Sequence, residues 1–241
     1  MKVLVVKDYD SMSKEAGHIF IEAIKNKPNI VLGLATGSTP IGMYKEMIKA
    51  HKEEGLDFSK VVTFNLDEYV GLTKDHPSSY RYFMDNELFN HINIDKNNTN
   101  VPDGKANNLE EFCGKYDEMI KEAGGIDIQV LGVGENGHIA FNEPEESLSA
   151  GTSIVKLTDN TIEVNARFFD SMDEVPKQAI TMGMGSILKS RKIVLLANGE
   201  KKAPVIKKLL NENRVSTMFP VSFLYLHPDV TVIVDEAAYN G

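Results

Sequence analysis

Short apolar runs rich in Val, Ile and Leu recur along this chain, and longer amphipathic stretches separate many of them. That alternation limits the possible folds more than any other feature of the sequence. Residues 3–6 read as a strand, and residues 11–25 then place Ala16, Ile19, Phe20, Ala23 and Ile24 at helical spacing. The pairing repeats. Strand-like 29–35 (NIVLGLA) precedes helical 41–52, and strand-like 60–65 (KVVTFN) precedes helical 78–91 and 107–122. Further strands are expected at 126–131, 153–157, 178–182, 192–196 and 230–234, with helices near 184–189, 201–211 and 220–226. Strands of four to six residues separated by helices imply βαβ units around a mainly parallel sheet. The expected fold is α/β: a three-layer α/β/α structure with a doubly wound, Rossmann-like sheet, forming a single domain over residues 1–241.

In such folds ligands gather at the carboxyl ends of the strands, so the residues just after each strand are the informative ones. The first junction is LATGSTPIGMY, residues 34–44. Backbone amides around Thr36, Gly37, Ser38 and Thr39, backed by the dipole of the following helix, favour an anion such as phosphate. Ser38 or Thr39 can cap that helix, and Pro40 suits its first turn. A plain capped turn has the same features. It is not a Walker loop, because no Gly-Lys-Ser/Thr follows at the required spacing. The second junction, FNLDEYVGL, brings Asp67 and Glu68 to a strand end. Adjacent carboxylates there can move protons or hold a metal, or simply make the loop acidic. The nearby HPSSY, residues 76–80, reads as a capped helix start in which His76 is structural.

The third junction is LGVGENGHIAFNEP, residues 131–144. Gly132, Gly134 and Gly137 spell G-x-G-x-x-G, the glycine fingerprint of dinucleotide sites. That fingerprint requires a long helix starting near its third glycine. Here Pro144 comes seven residues after Gly137, and no helix of ten residues fits before the strand at 153. The dinucleotide reading falls on that point, and the glycines are expected to make a tight turn that lets backbone approach a ligand. Asn136, His138 and Glu143 remain, within eight residues of one another. A histidine suits acid–base work near neutrality, and a carboxylate beside it can orient it and favour its charged form. The plain alternative is a glycine turn with a surface histidine. The fourth junction is basic: Arg167 in VNARFF, flanked by apolar residues, and Lys202 in NGEKKAP after a strand-end turn.

With 26 basic against 35 acidic residues, the net charge is −9. An acidic surface is a poor general binder of nucleic acid or anionic membrane, though it leaves room for a small cationic pocket. The single cysteine, Cys113, can form no intrachain disulfide. The N-terminal MKVLVVKDYD is too short in apolar residues for a secretory signal, and no run approaches the roughly 18 apolar residues of a membrane span. A soluble cytoplasmic protein is expected.

Together, LATGSTPIGMY, FNLDEYVGL with HPSSY, LGVGENGHIAFNEP and VNARFF resemble the glucosamine-6-phosphate deaminase family, in the family's order and across most of the chain. The resemblance implies an aldose–ketose isomerisation coupled to deamination: glucosamine 6-phosphate and water give fructose 6-phosphate and ammonia, in amino-sugar catabolism. Asp67 matches the base that moves a proton between C2 and C1. His138 matches the residue that opens the pyranose ring, completed by Glu143 and Asn136. Phosphate is expected on Gly37, Ser38 and Thr39, with Arg167 and Lys202 adding charge. The chemistry agrees: enolisation needs one carboxylate that can accept and return a proton, and ring opening needs a separate acid–base. The amine is already on C2, so no metal or organic cofactor is demanded. The related 6-phosphogluconolactonases share a Gly-His element, so a lactone hydrolase is the runner-up. A non-catalytic sugar-phosphate sensor is a third reading.

Two departures from the family stand out. Some members carry Asp where this chain has Asn136. In the allosteric hexamers, basic residues that bind an acetylated sugar phosphate fall, by resemblance, at Ser153 and Val155, neither of which carries a charge. The chain also ends at Gly241, soon after its last strand. The expectation is a monomer or small oligomer that N-acetylglucosamine 6-phosphate does not activate.

Overall fold

The computed structural model describes residues 1–158, 162, 169 and 171–241. Its main sheet contains β1 (Lys2–Val6), β2 (Val31–Leu34), β3 (Val62–Asn65), β5 (Thr99–Asn100), β6 (Ile128–Leu131), β9 (Lys192–Ala197) and β10 (Val230–Asp235). They lie in the order β1-β10-β9-β6-β2-β3-β5, with every neighbouring pair parallel. Every residue of β2, β6 and β10 is buried. That is why these strands read as mostly apolar runs, interrupted by Gln129 in β6 and by Thr231 and Asp235 in β10, rather than as alternating ones: flanking helices leave these three strands no solvent face.

The flanking helices are α1 (Tyr9–Asn26), α2 (Ile41–Glu54), α3 (Tyr80–Glu87), α4 (Leu109–Glu122), α5 (Met184–Leu188), α6 (Ala203–Glu212) and α7 (Glu236–Asn240). Helix α1 illustrates how sequence spacing becomes packing. Met12, Ala16, Phe20 and Ile24 recur every fourth residue and are all at most 1% exposed. Asp8 starts the helix by accepting the Ser11 N–H at 2.9 Å. Truncating Phe20 to Ala would cost about 3–5 kcal/mol, because the side chain is lost and a cavity remains.

The strand order explains where a ligand can sit. From β2 the chain crosses to β3 on one side; from β6 it crosses to β9 on the other. β2 and β6 are neighbours, so their outgoing loops diverge and leave a crevice at their carboxyl ends.

Three features depart from the sequence pattern. A second, antiparallel sheet of three strands stands beside the first: β4 (Asp67–Tyr69), β8 (Gln178–Thr181) and β7 (Ser153–Lys156), in the order β4-β8-β7. Asp-Glu-Tyr reads as loop because acids are depleted in strands. Here it pairs with Ala179–Thr181, and three backbone N–H groups satisfy the Glu68 carboxylate. Second, residues 220–226 form a 3-10 helix, not an α-helix. Val221 N–H leaves the local ladder to donate to Gly137 O at 2.8 Å, and Ser222 Oγ donates back to Phe219 O. Third, neither Ser38 nor Thr39 caps α2. Pro40 occupies the cap position itself, with no side-chain hydrogen bond. No helix among the described residues is long and apolar enough to cross a membrane.

Candidate active site

A cavity of about 600 Å³ opens at the carboxyl ends of β2 and β6. Thr36, Gly37, Ser38, Thr39, Asp67, Asn136, His138 and Lys202 all line it. Glu143 stands behind His138 rather than on the cavity wall. Arg167 lies outside the described residues.

Asp67 opens β4 one residue after Leu66, whose carbonyl accepts the Met182 N–H at 2.7 Å. Its residue is only 7% exposed, and among the described residues its carboxylate receives no hydrogen bond. Burial, with the neighbouring Glu68 charge adding to it, pushes the Asp67 pKa up to about 8. Glu68 is held differently. Its carboxylate accepts N–H groups from Tyr69 at 2.8 Å, Tyr80 at 3.0 Å and Arg81 at 3.0 Å, the last two at the start of α3. Burial raises the Glu68 pKa to about 7, and these three donors work against that rise by favouring the ionised form. Glu68 is thus engaged in structure, while Asp67 faces the cavity as a carboxylate with an affinity for protons.

The β6 loop assembles the second group. Asn136 bridges its two partners: its Oδ1 lies 2.8 Å from His138 Nδ1 and accepts the His138 backbone N–H at 3.1 Å, while its Nδ2 donates to Glu143 Oε2 at 2.7 Å. Glu143 Oε1 is 3.4 Å from His138 Nδ1. An amide oxygen can only accept, so Nδ1 carries the hydrogen and the lone pair of a neutral His138 falls on Nε2. The glycines do something other than receive a pyrophosphate. A Cβ on Gly134 would lie 2.2 Å from His138 Cε1, so that glycine makes room for the imidazole. Gly137 has φ +90°, and a Cβ there would meet the Phe219 ring at 2.4 Å. No helix follows Gly137; the chain turns through an Ile139–Asn142 bridge instead.

The remaining end of the cavity suits an anion. The N–H groups of Gly37, Ser38 and Thr39 make no hydrogen bond among the described residues, at the start of a helix without a side-chain cap. Thr39 Oγ1 donates to Asn198 Oδ1 at 3.2 Å, tying this loop to the turn that carries Lys202. Burial draws the Lys202 pKa down, while the Glu135 carboxylate pushes it back up. A half-buried ammonium beside unpaired amides gains most from a polyanionic ligand. Among the described residues no cluster of three or more His, Cys, Asp or Glu could hold a metal ion.

Sequence reasoning missed the aromatic wall. Tyr69, Tyr80 and Phe141 pack together, with ring centroids 4.8 Å apart for Tyr69–Tyr80 and 6.2 Å for the stacked Tyr80–Phe141 pair. All three line the cavity. Each lies inside a motif quoted above (FNLDEYVGL, HPSSY and LGVGENGHIAFNEP), but the three segments are separate and no local spacing announces that the rings meet. His76 is structural as expected, its Nδ1 accepting the Ser78 N–H at 3.1 Å.

Comparison with known proteins narrows what this geometry belongs to. A family model described as glucosamine-6-phosphate isomerases/6-phosphogluconolactonase matches residues 9–233. A glucosamine-6-phosphate deaminase of Thermoanaerobacter pseudethanolicus is 57% identical over 99% of this chain and 94% of its own length. One of Clostridium perfringens is 58% identical over 99% of this chain and 98% of its own. A solved structure described as a monomeric glucosamine-6-phosphate deaminase superposes with a TM-score of 0.96 at 46% identity, covering 99% of this chain and 98% of that one. A 6-phosphogluconolactonase of Thermotoga maritima shares the fold, covering 97% of this chain and 98% of its own, with a TM-score of 0.73 at 20% identity. The chain belongs to the glucosamine-6-phosphate isomerase/6-phosphogluconolactonase family, and within it to the glucosamine-6-phosphate deaminases.

Proposed function

We propose that this protein converts glucosamine 6-phosphate and water to fructose 6-phosphate and ammonia, with residues 1–241 acting as one catalytic domain. The observation that carries the reading is the placement of two acid–base groups on one cavity: Asp67, buried and proton-seeking, and His138, tethered through Asn136 to Glu143. The phosphate rests on the Gly37–Thr39 amides and Lys202. His138 Nε2 takes the anomeric hydroxyl proton and delivers a proton to the ring oxygen, breaking the ring C–O bond. Asp67 then removes the C2 proton while O1 takes a proton from the C2 ammonium, giving a neutral enolamine with a C1 hydroxyl, and Asp67 returns its proton to C1. The resulting C2 iminium adds water and releases ammonia, leaving the ketose. No step demands a metal or organic cofactor. A general base works best when its pKa is near the working pH, which suits a carboxylate raised to about 8.

The lactonase and sensor readings receive less support. The lactonase likeness is one of fold at 20% identity, and binding alone requires no second acid–base. Ammonia release separates all three. The deaminase liberates ammonia from glucosamine 6-phosphate, the lactonase hydrolyses 6-phosphogluconolactone without ammonia, and the sensor does neither. Folded protein that releases no ammonia ends the proposal.

The same reading takes the enzyme as cytoplasmic, without nucleic-acid or membrane partners, and as a monomer or small oligomer. The net charge of −9 and a neighbour described as monomeric support this. It also takes the enzyme as insensitive to N-acetylglucosamine 6-phosphate. Val155 lines a second cavity of about 210 Å³ together with Glu143 and Glu145, a setting that repels phosphate.

A further inference from the structure

Asp67 and His138 stand on different parts of the fold, Asp67 on the antiparallel sheet and His138 on the loop leaving β6 of the parallel one. Enolisation after ring opening requires that both meet one sugar, so something must fix their separation. The contacts converge on the end of β8. Thr181 is fully buried and pairs directly with Asp67 across β4–β8, which puts their side chains on the same face of that sheet. Its Oγ1 accepts the Phe141 N–H at 3.2 Å. The next residue, Met182, donates its N–H to Leu66 O at 2.7 Å, and its carbonyl accepts Asn142 Nδ2 at 2.8 Å. A second hydrogen of that amide goes to Ile139 O at 2.9 Å. Thr181, the last residue of β8, and Met182 just after it therefore grip the residue before Asp67 on one side and residues 141 and 142 of the His138 loop on the other.

The gripped loop is strained. Ala140, on the cavity wall between His138 and Asn142, has φ +53°, a left-handed conformation that a non-glycine residue keeps only when its surroundings impose it. Hydrogen bonds to both residues that follow it supply that constraint.

We propose that Thr181, acting with Asn142, is a positioning residue that sets the distance between the ring-opening group and Asp67. It touches no substrate; the cavity wall in front of it is made by Asp67, Ala140 and Phe141. The inference rests on the deaminase reading, and the experiment keeps the two apart.

The test compares Thr181→Val, which keeps the shape and removes the acceptor, with Thr181→Ser, which keeps the hydroxyl. Ammonia release from glucosamine 6-phosphate is measured alongside thermal unfolding. A misplacement of about 1 Å can cost on the order of 100-fold in rate. The Val variant is expected to lose about 10- to 100-fold in kcat with KM within about two-fold of the parent, because the phosphate loop and Lys202 are untouched. The Ser variant is expected to recover to within about three-fold of the parent kcat. Should the Val protein not fold, Thr181→Ala against Thr181→Ser makes the same comparison. A hydroxyl-free variant as active as the parent, or equal losses in the hydroxyl-free and Ser variants, overturns the positioning role. Absence of ammonia release from the unsubstituted protein overturns the deaminase reading instead.

Discussion

The two acid–base stations proposed for this cavity are built in opposite ways. Asp67 sits on a short strand, 7% exposed, without a described hydrogen-bond partner, and its strength as a base comes from the exclusion of water and a like-charged neighbour. His138 sits on a glycine-rich loop with its side chain 30% exposed, and its readiness comes from hydrogen bonds that choose its tautomer and aim its ring. The difference fits the two proton transfers proposed for them. Taking a proton from carbon needs a strong base in a dry place, and a carboxylate becomes one by desolvation, with a like charge nearby adding to it. Exchanging protons between sugar oxygens needs one group that can both accept and donate a proton, and an imidazole does so once it is oriented.

If that contrast holds, the substitutions should separate in size. Asp67→Asn should lower ammonia release by about two to four orders of magnitude, while equilibrium dialysis still finds sugar phosphate bound. His138→Gln should cost less, about two orders of magnitude, because sugars also open their rings unaided in water. A loss from His138→Gln larger than that from Asp67→Asn would invert the assignment of the demanding step. Lys202→Met should raise KM about 10-fold, the worth of one charge-assisted hydrogen bond of about 1.5–3 kcal/mol partly replaced by water, with kcat nearly unchanged.

Two smaller effects test the electrostatic origin of Asp67's strength. The base must be ionised, so kcat/KM should climb with pH through an acid limb near 8. Glu68→Gln removes the negative neighbour, which favours ionised Asp67 and should move that limb to lower pH. A limb that stays in place would mean that desolvation alone raises Asp67. The raised carboxyl also bears on stability. The folded pKa lies above the ordinary value of 3.8, so ionising Asp67 weakens the folded state progressively from about pH 4 to about pH 8, and not below that window. Asp67→Asn should therefore melt with the parent at pH 4 and above it at pH 8, the gap widening as pH rises between the two.

Much of this site was legible before any coordinates. Burial on both faces made β2, β6 and β10 mostly apolar runs. Strand-end loops then pointed to Thr36–Thr39, Asp67, His138 and Lys202, all of which line the cavity. Pro144 was enough to remove the helix that a dinucleotide site requires. The aromatic wall of Tyr69, Tyr80 and Phe141 stayed hidden because its members lie far apart in the chain. The second sheet stayed hidden because Asp-Glu-Tyr forms a strand only where Ala179–Thr181 pairs with it and the start of α3 satisfies Glu68.

The sequence by itself determined which groups could do chemistry and at which end of the sheet they stand, because hydrophobic period and strand-end position are local properties of the chain. What tertiary structure alone decided is how those groups are tuned. Asp67 is a strong base chiefly because the fold removes water around it. His138 presents Nε2 only because Asn136 meets Nδ1 and links it to Glu143. Gly134 and Gly137 make room for the ring of His138 and the ring of Phe219. Desolvation, tautomer choice and close packing all depend on neighbours distant in the chain, and no local spacing encodes them.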